Sequence, residues 1–284
     1  MRFSVFTAAL PQWTPQEAVE QLAAQGWDGV EWRVIDQQDA PEPGFWAGNR
    51  CTWPLATLEQ DVPRIRELTE GAGLRFSGVG GYALCDEHAD VDRLLAATAA
   101  LGAGQVRVRT PALGTAPYPE LFAHARTCFA DIAGRAARHG VKVLVELHHQ
   151  TVVSSSSAAL RLLDGVDPAA VGVIHDLGNL VIEGGEDVRA GLEMLGPYLA
   201  HVHVKNCVWR PAETEADGTV RWEHAWAELP TGQADVGAYL RHLTELGYDG
   251  WVTVEDFSTD RPLAQRTAAN LAYLRAARLA AAAA

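Results

Sequence analysis

The feature that most constrains this chain is the regular alternation of two periodicities along its length. Short runs with apolar residues at every second position read as strands, and longer runs with apolar residues at helical spacing lie between them. The strand-type runs are RFSVFT (2–7), GVEWRV (29–34), LRFSGVG (74–80), QVRVRT (105–110), VKVLVEL (141–147), VGVIHD (171–176), AHVHVK (200–205) and WVTVED (251–256). The helical runs cover 14–27, 57–73, 90–104, 120–140, 156–166, 186–199, 234–250 and 261–280. Ala18, Val19, Leu22 and Ala23 form the apolar stripe of the first. Gly26, Gly73, Gly104, Gly140 and Gly247 close helical runs shortly before the next strand, as helix-ending glycines do. Eight strands, each followed by a helix, predict an α/β fold: a (β/α)8 TIM barrel spanning residues 1–284 as one domain. An open doubly wound sheet is the alternative. It usually carries a glycine-rich phosphate loop after its first strand, and ALPQWTP (9–15) offers none.

Length and composition agree with a barrel. A chain of 284 residues suits one such domain, and 48% apolar residues supply its core. The formal net charge of −13 repels a phosphate backbone, and there is no Lys/Arg-rich run, so a nucleic-acid partner is disfavoured. Cys51, Cys85, Cys128 and Cys207 are scattered without CxxC spacing and read as reduced packing residues of a cytoplasmic protein. No apolar run reaches the roughly 18 residues of a membrane helix, so no membrane partner is expected. MRFSVFTAALPQW reads as a first strand rather than a signal peptide, and the terminal LAAAAA as a frayed helix end.

The longest non-helical stretches are 36–56 and 206–233, both rich in Pro, Gly and Trp. In a barrel both follow strand ends and lie at the C-terminal mouth, where active sites are built. Trp46, Trp53, Trp209, Trp222 and Trp226 either wall that mouth or anchor its loops.

The strand ends carry the chemistry. In HVHVKN (201–206), period-two alternation puts His201, His203 and Lys205 on one face and Val202 and Val204 on the other. LVELHHQ puts Glu146 and His148 on one face, GVIHDLGN ends its strand on Asp176, and VTVEDFS brings Glu255. Four ligand-type residues from four successive strands thus converge at one height, spaced by about one βα unit each, with 206–233 inserted before the last. Three carboxylates so close repel one another unless a cation lies between them. Three carboxylates and an imidazole suit Mn²⁺ first, with Mg²⁺, Co²⁺ or Zn²⁺ as alternatives. The expected metal ligands are therefore Glu146, Asp176, His203 and Glu255. Arg107 and Arg109 alternate with valines on the fourth strand and either reach a substrate carboxylate or hydroxyl or form a buried ion pair with Glu146 or Glu31. Asn49, Arg50 and Arg210 sit in the mouth loops as substrate contacts, and His88, His124, His139, His224 and His242 read as surface residues.

ELH (146–148), HDLGN (175–179), HVHVKN (201–206) and GYDGWVTVED (247–256) resemble the xylose isomerase-like TIM-barrel superfamily of sugar isomerases and epimerases. It includes ketose 3-epimerases, inosose isomerases and dehydratases and, more distantly, endonuclease four. The resemblance covers essentially the whole chain. It implies that the glutamates at 146 and 255 are metal ligands and also the catalytic acid/base pair. It implies that Lys205 reaches a substrate oxygen. By position, His148, inward with Glu146, either shuttles protons or binds a hydroxyl or makes a structural hydrogen bond, and His148, Asn179, Arg109 and Arg210 are the other expected substrate contacts. Two positions depart from the ketose 3-epimerase pattern: Asn179 stands where those enzymes carry His, and Lys205 where they carry an acid. The multi-zinc site of endonuclease four needs further histidines on the early strands, which this chain lacks.

The expected activity is metal-dependent isomerisation or epimerisation of a ketose or cyclic keto-polyol through an enediolate. The alternatives are a lyase or dehydratase acting on an inosose, a dehydroshikimate or a 3-keto-glycoside, and a non-catalytic sugar-binding barrel. The expected partner is a small-molecule sugar or polyol, and a homo-oligomer is left open.

Overall fold

The computed structural model describes residues 1–283. Strand β2 (Gly29–Val34), preceded by β1 (Arg2–Phe6), shows how the architecture arises, because every one of its residues is buried. Val30, Trp32 and Val34 belong to the apolar core, and Trp32 donates its indole N–H to Thr69 on the helix that follows. The alternate residue Glu31 points the other way, towards histidines across the barrel. A strand covered on both faces in this way is the mark of a parallel sheet with helices outside it.

Eight such strands close on themselves. After β1 and β2 come β4 (Arg75–Gly81), β5 (Gln105–Arg107), β6 (Lys142–Glu146), β7 (Val171–Asp176), β8 (Leu199–Val204) and β11 (Trp251–Val254). Each is parallel to its neighbours, and β1 pairs with both β2 and β11, which completes the barrel. A short strand β3 (Thr52–Trp53) adds to the upper end of β2 through Arg33↔Thr52 and Val34↔Trp53. An antiparallel hairpin, β9 (Asn206–Thr214) and β10 (Val220–Ala227), rises from the mouth after β8.

The outer layer is α1 (Pro15–Gln25), α2 (Leu58–Gly71), α3 (His88–Leu101), α4 (Tyr118–His139), α5 (Ser156–Leu162), α6 (Leu177–Glu183), α7 (Val188–Leu195), α8 (Val236–Glu245) and α9 (Leu263–Ala283). Helix α1 begins with a reciprocal cap between Thr14 and Glu17, has Pro15 in its first turn, and ends on Gly26. Among the described residues no helix is long and apolar enough to cross a membrane.

The predicted eight strands and eight helices are all present, with three additions. Helix α6 follows β7 directly, β3 lies in the stretch 36–56, and the hairpin occupies much of 206–233. The run 90–104 ends sooner than its spacing suggests, since Gly102 rather than Gly104 caps α3. The run 186–199 shortens to α7 and a 3-10 turn over Gly196–Tyr198. The alanine-rich end, read as frayed, continues α9 to Ala283, and Ala284 lies outside the described residues.

Candidate active site

The inward side chains form two polar tiers. In the lower one, Ser4 and Thr253 hydroxyls meet at 2.7 Å across the β1–β11 seam, and Thr253 Oγ1 lies 3.0 Å from His201 Nε2. Gln105 Nε2 can only donate, so His201 Nδ1 accepts from it at 3.0 Å and the ring proton sits on Nε2. That proton is given to Glu31 Oε2 at 2.9 Å. His203 Nε2 lies 3.0 Å from the same oxygen, so one carboxylate receives from two imidazoles. Burial raises the Glu31 pKa, but His203 and His201 outweigh it and hold the carboxyl well below the usual range.

The upper tier is the predicted ligand set. With Nε2 committed to Glu31, His203 turns Nδ1 to the centre of three carboxylates: Glu146 Oε1 at 3.3 Å, Glu255 Oε1 at 3.4 Å and Asp176 Oδ2 at 3.8 Å. Pairing registers Asp176 beside His203, with Glu146 opposite Ile174 and Glu255 two residues beyond the Thr253 that pairs with His203. Phe6 stacks on the His203 ring at 5.8 Å and helps hold its plane. One atom from each of Glu146, Asp176, His203 and Glu255 can be chosen so that all four lie within 4.8 Å of one another.

The surrounding groups show how the protein holds so much negative charge. Lys205 Nζ donates to Asp176 Oδ2 and Glu255 Oε2, each at 2.5 Å. Gly178 makes room for this lysine, because a Cβ there would lie 2.3 Å from Lys205 Cγ. Arg107 Nη1 donates to Glu146 Oε2 at 2.7 Å, which settles the choice between Glu146 and Glu31 as its partner. Burial lowers the affinity of Lys205 and His203 for protons, but their carboxylate neighbours reverse this and raise both above their ordinary values. Burial also works against the Glu146 charge, and Arg107 with His203 brings its pKa well below normal. Asp176 is the exception. Burial and then the charges of Glu255 and Glu146 prevail over Lys205 and push it up to about 7. The buried cluster is therefore short of positive charge, and its donor set of hard oxygens and one oriented imidazole fits a divalent cation.

Above this floor lies a cavity of about 720 Å³ that Glu146, Glu255, Lys205, His148, Asn179 and Arg109 all line. Asn179 sits in the first turn of α6, where its backbone N–H donates to Asp176 Oδ1 at 2.9 Å and its side chain bridges Leu147 O and His149 Nδ1. His148 stacks on His149 at 4.4 Å, and its Nδ1 lies 2.7 Å from the His149 carbonyl. Arg210, expected in the site, is exposed on β9 opposite Glu223 and does not line the cavity. Arg50 is also exposed and pairs with Glu17, whereas Asn49 is buried and donates to Ala8 O.

The tryptophans divide between the two roles. Trp46 and Trp226 line the cavity with Phe45 and Phe257; Trp53 is buried in the core, Trp209 anchors the hairpin to Val181 O, and Trp222 is exposed. Pattern reading passed over His149, Tyr82 and Phe257, all in the lining. Only the doubled histidine of ELHHQ signals the first, and nothing local signals the others. His224, read as a surface residue, is exposed but stands at the rim against Trp209 and Trp226.

Similarity to known proteins follows the same lines. The rhizopine catabolism protein MocC of Rhizobium meliloti is 28% identical over 158 residues, which are 54% of this chain and 48% of that protein. An inosose dehydratase of Bacillus licheniformis is 28% identical over 198 residues, 67% of this chain and 64% of the enzyme. These matches thus span about half to two thirds of the relatives' own length. The 3-keto-D-glucoside 4-epimerase YcjR of E. coli superposes with a TM-score of 0.73 at 17% identity, over 97% of this chain and 99% of that one. A xylose isomerase-like TIM-barrel protein of Mycobacterium smegmatis, in complex with magnesium, gives 0.69 at 20% identity, over 99% of this chain and 97% of that one. At these identities the structures speak for the fold, which is the closed parallel barrel described above. Residues 19–277 match the family described as xylose isomerase-like TIM barrel, and the chain belongs to that family.

Proposed function

We propose that this protein is a divalent-metal-dependent sugar isomerase or epimerase acting on a ketose or a cyclic keto-polyol. The observation that carries this reading is that Glu146 and Glu255 both approach His203 Nδ1, at 3.3 and 3.4 Å, on the floor of the cavity. One glutamate takes the proton from the carbon next to the substrate carbonyl, leaving an enediolate. The other returns a proton to the opposite face, or the same group delivers it to the neighbouring carbon. A divalent ion held by Glu146, Asp176, His203 and Glu255, with Mn²⁺ foremost, would polarise that carbonyl and make its neighbouring proton acidic enough for a carboxylate base. Arg107 holds the Glu146 carboxylate in place, and Asn179 does the same for Asp176. The aromatic rim of Phe45, Trp46, Trp226 and Phe257 limits water around the reacting carbons. On this reading His148 and Lys205, both in the lining, contact substrate oxygens.

A second reading, elimination, is favoured by Lys205. Its ammonium lies 2.5 Å from Glu255, so a proton donor for a departing hydroxyl stands beside the base. The dehydratase relatives support the same alternative. Both reactions begin with one proton abstraction. The test is solvent deuterium exchange, followed by NMR, into a panel of ketoses, inososes and 3-keto-glycosides with added Mn²⁺. Exchange into at least one compound is expected, falling about 100-fold or more in Glu255→Gln. Exchange that survives unchanged in Glu255→Gln would remove this glutamate from the mechanism, and loss of water from the product would identify the lyase.

A further inference from the structure

One wall of the cavity carries more positive charge than its surroundings neutralise. Arg107, 5% exposed, lines the cavity. Its Nε donates to Gly81 O and its Nη1 to Glu146 Oε2, yet Nη2 has no hydrogen-bond partner. Arg109, two residues on along the same inward face, also lines the cavity. Among the described residues its guanidinium makes no hydrogen bond or ion pair. Behind them Arg33, fully buried, donates Nη1 to Gln37 and Thr52 but leaves Nε and Nη2 without partners. All three gather on one ring: the Cζ atoms of Arg107, Arg33 and Arg109 lie 4.4, 5.2 and 5.8 Å from the centre of Tyr82.

Stacking on Tyr82 attracts these cations but supplies no counter-charge. Among the described residues the one carboxylate paired with any of them is Glu146, which also belongs to the four-residue acidic cluster. Arg266, in the same lining, gives both of its Nη groups to carbonyls, Ser258 O and Ala9 O, whereas Arg109 gives its guanidinium to none. Arg109 is thus the donor free to meet a ligand in the cavity, beside an Arg107 whose one carboxylate is shared with the acidic floor, and this wall holds positive charge that an anionic ligand would neutralise.

We infer that the substrate carries an anionic oxygen group, a carboxylate or a phosphate monoester, which the Arg107–Arg109 wall binds while its polyol end reaches the acidic floor. This rests on the reading of the cavity as a sugar site and narrows its substrate class. The planar fork of arginine matches both groups in a bidentate fashion. The cavity then has two ends of opposite sign, and a ligand with an acid at one end and hydroxyls at the other enters in one orientation only.

The test is calorimetric titration of wild type, Arg109→Gln and Arg109→Lys with D-glucuronate, D-glucose 6-phosphate and D-glucose as probes. Arg109 is exposed, so its replacement leaves the barrel folded, which a melting curve checks. At least one acid is expected to bind wild type tenfold or more tightly than D-glucose, on the order expected for charged hydrogen bonds. The gap shrinks severalfold in Arg109→Gln and recovers in part in Arg109→Lys. Preference for glucuronate alone assigns a carboxylate, and preference for the phosphate alone assigns a phosphate ester. No preference in wild type, no binding of either acid, or an equal gap in Arg109→Gln overturns the inference. Bound divalent metal is quantified on the same samples. Metal without anion preference removes this inference alone, whereas anion preference without metal removes the metal-dependent reading and leaves the arginine wall.

Discussion

Glu31 governs His203 through a single oxygen. By accepting from Nε2 of both His201 and His203, at 2.9 and 3.0 Å, it fixes which nitrogen of His203 faces the three carboxylates. A glutamine keeps the shape and an oxygen for the two rings but loses the negative charge that favours their donated protons. Glu31→Gln is therefore expected to weaken divalent-ion binding about 10–100-fold while the fold persists, as measured by competition with a fluorescent chelator. Unchanged affinity would falsify the role given to this carboxylate. Lys205 teaches a related lesson. Alternation in HVHVKN puts it on the inward face, where the structure also has it, but no pattern in the chain reveals that Asp176 and Glu255 already engage its ammonium. Such pairing depends on strand register, which the residues of one strand do not carry.

At the scale of elements, the loop between β8 and α8 hangs on Asn206. Its amide donates to Leu229 O and Ala234 O and accepts from the backbone N–H groups of Cys207 and Ala234, at 2.8 to 3.0 Å. Gly232 passes so close that a Cβ would lie 2.0 Å from Asn206 Oδ1. Asn206→Ala would leave these buried groups unpaired and cost about 2–4 kcal/mol in denaturant unfolding, with faster hydrogen exchange across 206–233. A loss below about 0.5 kcal/mol would count against the anchor. The eight barrel strands were legible because buried β-branched residues alternate with functional ones. The hairpin was not, because most of β9 and β10 is exposed, Pro211 interrupts β9, and the alternation of Val220, Trp222 and Trp226 in β10 has no matching stripe in β9. Helix α6 escaped notice because it is only seven residues long and its cap is Asp176, which reads as a strand end and a ligand. The meeting of Glu146, Asp176, His203 and Glu255 was legible because it needs only strand order and the height of the strand ends. Tyr82 and Phe257 entered the cavity unannounced, because loop conformation decides where they point.

For the whole molecule, the cluster behaves as an acidic centre held together by its own cations. On the proposed reading, a divalent ion would relieve the burial and repulsion that lift Asp176 to about 7, and would therefore bind the folded chain in preference to the unfolded one. At a hundredfold excess over its dissociation constant the ion adds about 2.7 kcal/mol. For a chain of this length that raises the melting temperature by roughly 4–6 °C. Removing it with EDTA should reverse the shift, and melts that are identical with and without EDTA would speak against a metal centre. His203, raised above its ordinary value, must lose its Nδ1 proton to accept an ion, so affinity is expected to climb with pH in titrations from pH 6 to 8.

The seam between β1 and β11 has a consequence for biosynthesis. Residues 2–5 lie against 251–254, so the ring is joined by segments nearly a whole chain apart. A ribosome releases β1 early and the strand that covers its free edge last. Until then β1 and β8 each present an open row of backbone donors and acceptors, and the acidic interior faces water through the gap. Such an intermediate invites strand exchange between nascent chains, and escape from it depends on how fast the final strand docks.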